Sequence, residues 1–135
     1  MAVSMVTVAD TAFSIAAVRA EERALPEAER LFEDPYASLF HEAGAHAAEA
    51  TARYLELPYF REGIRLRTRG IDDAVREGFR AGLGQLVILG TGFDMRALRL
   101  SEVAANDVSV FEIDVAEQLD RKRAVLTAAG VALPA

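Results

Sequence analysis

Gln85-Leu86-Val87-Ile88-Leu89-Gly90-Thr91-Gly92-Phe93-Asp94 is the stretch on which the fold turns. An unbroken aliphatic run that ends at glycine reads as a strand buried on both faces, the mark of a parallel sheet. Two glycines one residue apart permit a sharp turn and let a ligand approach bare main chain. A helix is expected next, with Asp94 as its N-cap, aiming its first free N–H groups over the turn. Strand, glycine turn and helix in that order point to a nucleotide-like cofactor. A tight turn with no ligand remains the alternative on these residues alone.

The run Val108-Ser109-Val110-Phe111-Glu112-Ile113-Asp114 favours the cofactor. It reads as a second buried strand and ends in an acid 24 positions after Gly90. In nucleotide-binding βαβ units, an acid about 20 residues past the glycines sits at the second strand's tip and accepts ribose hydroxyls. Asp114 has that place; Glu112, on the same strand face by parity, is the second candidate.

Composition narrows the partners. The 135 residues suit one domain, 52% hydrophobic and 27% charged as in ordinary globular chains. A net charge of −6, with no Lys/Arg cluster, argues against a nucleic-acid backbone as partner. No cysteine is present, so disulfide frameworks and thiolate metal sites are excluded. His41 and His46, the two histidines, read as polar positions on a helix, and no metal site is expected. No apolar run reaches a membrane span, and Asp10 and Arg19 interrupt any signal-like segment. A soluble, cytoplasmic protein is expected.

Upstream of the glycines the chain reads as helical. Residues 1–9 are expected as a tail, and a helix over 10–24 has Asp10 or Thr11 as its cap. Asp34 precedes Pro35, which suits the first turn of a helix continuing through the alanine-rich 36–52 stretch. Residues 55–81 read as another helix, with Ile64, Ile71, Val75 and Phe79 as its apolar stripe. Arg61, Arg65, Arg67 and Arg69 on it read as a solvated face or as a source of one guanidinium for a carboxylate. Past the second strand, Ala104-Ala105-Asn106-Asp107 being a turn before it, a helix over 116–129 presents Leu119, Val125, Leu126 and Ala129, with Gly130 closing it.

Four blocks resemble the leucine carboxyl methyltransferase-like family of S-adenosylmethionine-dependent methyltransferases, in its bacterial small-molecule branch. They are Phe32-Glu33-Asp34-Pro35-Tyr36-Ala37, Arg67-Thr68-Arg69 with Ile71-Asp72-Asp73, Gln85 through Leu100, and Phe111-Glu112-Ile113-Asp114 with Lys122-Arg123. The resemblance implies an α/β fold, the N-terminal part of a Rossmann-like class I methyltransferase, with a helical N-terminal region followed by β-α-β-α. Residues 1–82 would be a cap or lid, and 83–135 the first part of the cofactor domain. Gly90 and Gly92 would approach the cofactor's methionine part, with Asp94 beside them. Asp114 would hold the ribose, and Arg67, or Arg65 in its stead, the carboxylate. The family's proline after the second-strand acid is absent, Val115-Ala116-Glu117 standing there. The third glycine of a dinucleotide fingerprint is also missing, which favours the methyl donor over NAD.

The implied activity is methyl transfer to a carboxylate or hydroxyl of a small-molecule acceptor. A sulfonium donor is already activated, so alignment of donor and acceptor is the main task and no catalytic acid or base is singled out. The family's sheet has seven strands and this chain supplies two. Three outcomes are expected to compete: a catalytic unit completed by a missing C-terminal half, a homo-oligomer that covers the open strand edge, or a binding module without catalysis.

Overall fold

The computed structural model of the chain describes residues 8–132. Small residues shape its N-terminal part. Helix α1 (Val8–Glu21) buries Phe13, Ala16, Ala17 and Val18, and its alanines let neighbouring helices approach closely. The expected tail thus lies outside the described residues up to Thr7, and Asp10 falls inside the first turn instead of capping it. The helix expected over 36–52 is divided into α2 (Ala37–Ala43), a 3₁₀ turn over Gly44–Ala47, and α3 (Ala48–Leu55). The cause is packing at Gly44, where a Cβ would stand 2.5 Å from the Phe13 ring. The chain bends there to admit the ring.

Helix α4 (Phe60–Arg80) starts later than its charge pattern predicts, because Tyr59 takes a left-handed conformation (φ 61°) just before it. Its buried positions are Ile64, Thr68, Asp72 and Phe79. Gly82, at φ 89°, turns the chain toward β1 (Gln85–Leu89). The strand pairs in parallel with β2 (Ser109–Ile113), from Gln85 opposite Ser109 to Leu89 opposite Ile113.

Between the strands the expected single helix resolves into α5 (Arg96–Arg99) and α6 (Ser101–Ala105), which takes in the first half of the predicted turn, Asn106 and Asp107 still turning the chain into β2. Helix α7 (Ala116–Ala128) follows β2 and ends at Gly130, φ 69°. The described chain is therefore mixed α/β, mostly helical, with a two-stranded parallel sheet.

Neither strand is buried on both faces. Leu86, Ile88, Val110 and Glu112 turn toward the helices, and Leu86 and Val110 pack on a cluster of Phe79, Leu100 and Val103. Val87, Leu89, Phe111 and Ile113 lie on the other face with half or more of their surface exposed. The all-aliphatic run predicted double burial; among the described residues nothing covers that second face, and β1 has no partner on its other edge. A larger core joins α1 and α2 to the glycine turn through Phe13, Phe40, Phe93, Met95 and Leu126. No helix among the described residues is long and apolar enough to cross a membrane.

Candidate functional site

The turn after β1 is pinned from three sides. Phe93, within it, stacks on Phe40 with ring centroids 4.5 Å apart and leans on Phe13 at 5.0 Å. Burying such a ring contributes about 1.5–3 kcal/mol, so the turn is anchored by its own aromatic residue. Arg19 of α1 donates to the Phe93 carbonyl at 2.6 Å. Lys122 of α7, 4% exposed, donates to the Asp94 carbonyl and sits 2.7 Å from both Glu112 carboxylate oxygens. It staples turn, β2 and α7 together.

Hydrogen bonds within the site also occupy the turn's own N–H donors. The Gly90 and Thr91 N–H groups donate to the Ile113 carbonyl, at 2.8 and 3.2 Å, and Asp94 N–H donates to Thr91. Gly92 N–H donates to Asp114 Oδ2 at 2.8 Å. No helix N-terminus faces the turn at once either, since α5 begins only at Arg96 and is one turn long. Asp94 does accept the Arg96 N–H at 2.8 Å, as a cap would. What the turn presents is bare backbone: Gly90 has φ 61°, and a Cβ there would project into open space.

That space is a cavity of about 770 Å³, in the size range of small-molecule sites. Its lining brings together all five residues singled out in the sequence: Arg67, Gly90, Gly92, Asp94 and Asp114. Asp114 spends one oxygen on Gly92 N–H and the other on Val115 N–H (2.8 Å). Each carboxylate oxygen has a second lone pair, so hydroxyls can still be accepted. Glu112 does not line the cavity and is engaged by Lys122.

The two arginine candidates separate as clearly. Arg65 forks onto Glu22 at 2.6 and 3.2 Å and donates to the Glu29 carbonyl. The hydrogen bond to Glu22 is the main influence raising its pKa. It ties α4 to the segment that follows α1 and does not line the cavity. Arg67, exposed on α4 and on the cavity wall, has no hydrogen bond or ion pair among the described residues.

Behind the turn lies a buried charge network that sequence reasoning did not find. Asp72, fully buried, receives Arg96 at 2.7 Å and the two terminal Arg99 nitrogens at 2.7 and 2.6 Å. Asp34, also fully buried, holds the Tyr36 and Ala37 N–H groups at 3.1 Å and faces Arg19 at 3.2 Å. Arg96 also grips Asp94 and the Thr68 carbonyl. Arg19 Nε, Arg99 Nε and Asp34 Oδ2 have no well-aligned hydrogen bond, yet the arginines face that oxygen at 3.2 and 3.9 Å. These groups are paired by charge, because attraction at such distances tolerates misalignment. Burial lowers the pKa of Arg19, with Asp34 and Asp94 opposing. The network ties three of the four sequence blocks to one another, so their acids and arginines hold the turn in place.

Residues 12–135 match the leucine carboxyl methyltransferase family. The chain belongs to that family. It is 42% identical to a provisionally named S-adenosyl-L-methionine-dependent methyltransferase of Frankia alni, over 86% of this chain and 41% of that protein. A second, from Mycolicibacterium paratuberculosis, is 37% identical over 92% of this chain and 43% of its own length. A third, from Streptomyces avermitilis, is 34% identical over 86% and 42%. The chain thus spans about two fifths of the length of the curated relatives it matches. The leucine carboxyl methyltransferase family uses S-adenosylmethionine.

Proposed function

We propose that the chain carries the cofactor-binding elements of an S-adenosylmethionine-dependent O-methyltransferase acting on a carboxylate or hydroxyl of a small molecule, built on the first part of a Rossmann-like domain. The observation that carries this is the gathering of Arg67, Gly90, Gly92, Asp94 and Asp114 on one cavity. Arg67 pairs with the cofactor carboxylate through its guanidinium fork. Gly90 and Gly92 let the methionine arm lie against main chain. Asp114 accepts the ribose hydroxyls, and Asp94, locked by Arg96, shapes the wall between. The cofactor supplies an activated methyl group; the protein's part is to align it. Residues 1–82 act as the wall or cap, since α1 and α4 border the cavity. Calorimetric titration with S-adenosylhomocysteine tests the reading: saturable one-site binding is expected, and its absence, with the fold intact by circular dichroism, rejects it.

The uncovered sheet face favours a second reading, a self-associating module, which competes with the first because the β1 edge also lines the cavity. A second copy is the occupant that fits. Antiparallel pairing of two β1 edges about Val87 sets Gln85 against Leu89 and joins the exposed faces of Val87, Leu89, Phe111 and Ile113 into one apolar surface, as an isologous contact requires. Gln85–Leu89 carries no charge to oppose it. Sedimentation of the purified chain is expected to show a dimer, and Leu89→Lys a monomer. A monomer at all concentrations refutes the pairing.

A further inference from the structure

Three residues of α7 are buried, Gln118, Lys122 and Leu126, four apart and therefore on one helix face. Leu126 belongs to the core and Lys122 is bonded to Glu112 and the glycine turn. Gln118 is different. It is 4% exposed, and neither its amide oxygen nor its amide nitrogen has a hydrogen-bond partner among the described residues. A buried carboxamide left so forfeits the hydration of both groups and gains nothing in return. Such a residue is retained where something else completes it. Gln118 lines the cavity, one helical turn beyond Asp114.

We propose that Gln118 reads the base of the nucleoside ligand, its oxygen accepting from an exocyclic amino group and its NH₂ donating to the adjacent ring nitrogen. The inference rests on the cofactor reading above. Position along the cavity supports it. Arg67 stands on α4, which borders the unpaired side of β1; the glycines follow at the tip of β1, then Asp114 at the tip of β2, then Gln118 in the first turn of α7. A ligand with its carboxylate at Arg67 and its ribose at Asp114 brings its base to Gln118. A carboxamide is the side chain whose donor and acceptor match adenine's amino group and neighbouring ring nitrogen in a two-bond pair.

The test compares S-adenosylhomocysteine with its analogue carrying purine for adenine, which lacks only the 6-amino group. Wild type is expected to bind the first about tenfold more tightly, the loss of one buried hydrogen bond. Gln118→Met is expected to abolish most of that preference. Its ligand-free melting temperature should be equal to or above that of wild type, since two unpaired buried groups are removed. Asp114→Asn is expected to weaken both ligands together and leave their ratio unchanged. A preference kept in Gln118→Met, with S-adenosylhomocysteine still bound, overturns the role of Gln118 and leaves the cofactor reading standing. Failure of wild type to bind S-adenosylhomocysteine removes that reading, and this inference with it.

Discussion

Two polar regions meet at the turn after β1, and they are built on opposite terms. In the network behind it, Asp34, Asp72, Arg19, Arg96 and Arg99 answer one another at ion-pair distances, walled off from water. On the cavity side, Arg67 and both amide atoms of Gln118 have no partner among the described residues. Satisfied buried groups specify a fold, whereas unsatisfied ones beside a cavity mark where a ligand completes the structure. Substitutions in the first region should change stability, and in the second affinity.

The largest effect is expected from Asp72→Ala. It removes the carboxylate shared by two guanidiniums, 8% and 1% exposed at the side chain, leaving Arg96 with Asp94 and the Thr68 carbonyl and Arg99 with the more distant Asp34. Breaking a buried ion pair from one side costs about 3–5 kcal/mol, a large part of a small domain's stability. Urea unfolding should show it as a lower midpoint. A change below about 1 kcal/mol would mean that the network relaxes freely and that the contrast between the two regions is one of appearance.

Asp114→Ala comes next and lies at the boundary. Loss of the proposed ribose bonds should weaken S-adenosylhomocysteine by about 1.5–3 kcal/mol. The carboxylate also holds Gly92 N–H, so some effect on the turn itself is expected in the ligand-free protein. Chemical denaturation separates the two: a stability change of about 1 kcal/mol beside a larger affinity loss supports the dual role. Unchanged affinity removes Asp114 from the binding site.

How much of this the sequence discloses follows from range. Both strands, the glycine turn and the acid at the tip of β2 are local patterns, and the structure has them where the residues put them. The network joins residues far apart in sequence: Asp72 meets Arg99 across 27 positions, and Arg19 meets Phe93 across 74. No periodicity announces such pairs. Helix α7 misled for another reason. Apolar spacing selects Leu119, Val125, Leu126 and Ala129, yet Ala129 is exposed and the buried face is Gln118, Lys122 and Leu126. A face polar at two of three positions reads as solvent-exposed until Glu112 and the cavity are seen beside it. The break at Gly44 depended on the Phe13 ring, which no local rule places there.

The smallest effect on affinity, and the sharpest discrimination, comes from two arginines two positions apart. Arg65→Ala removes a charge-assisted pair from the fully buried Glu22 side chain. It should cost stability while cofactor affinity stays the same, because Arg65 does not line the cavity. Arg67→Lys should behave in the opposite way. Lysine keeps the charge but not the planar fork, so a gripped carboxylate should be held about 1 kcal/mol less tightly. Stability should stay within about 0.5 kcal/mol of wild type, as for an exposed side chain without partners. Calorimetry with S-adenosylhomocysteine and thermal melts on both variants give the four values. Equal affinity in wild type, Arg67→Lys and Arg67→Ala would return Arg67 to a solvated helix face. The cofactor carboxylate would then fall to Arg19, the other cavity-lining arginine not bonded to Asp72, and the division between satisfied and unsatisfied regions would have to be redrawn to include it.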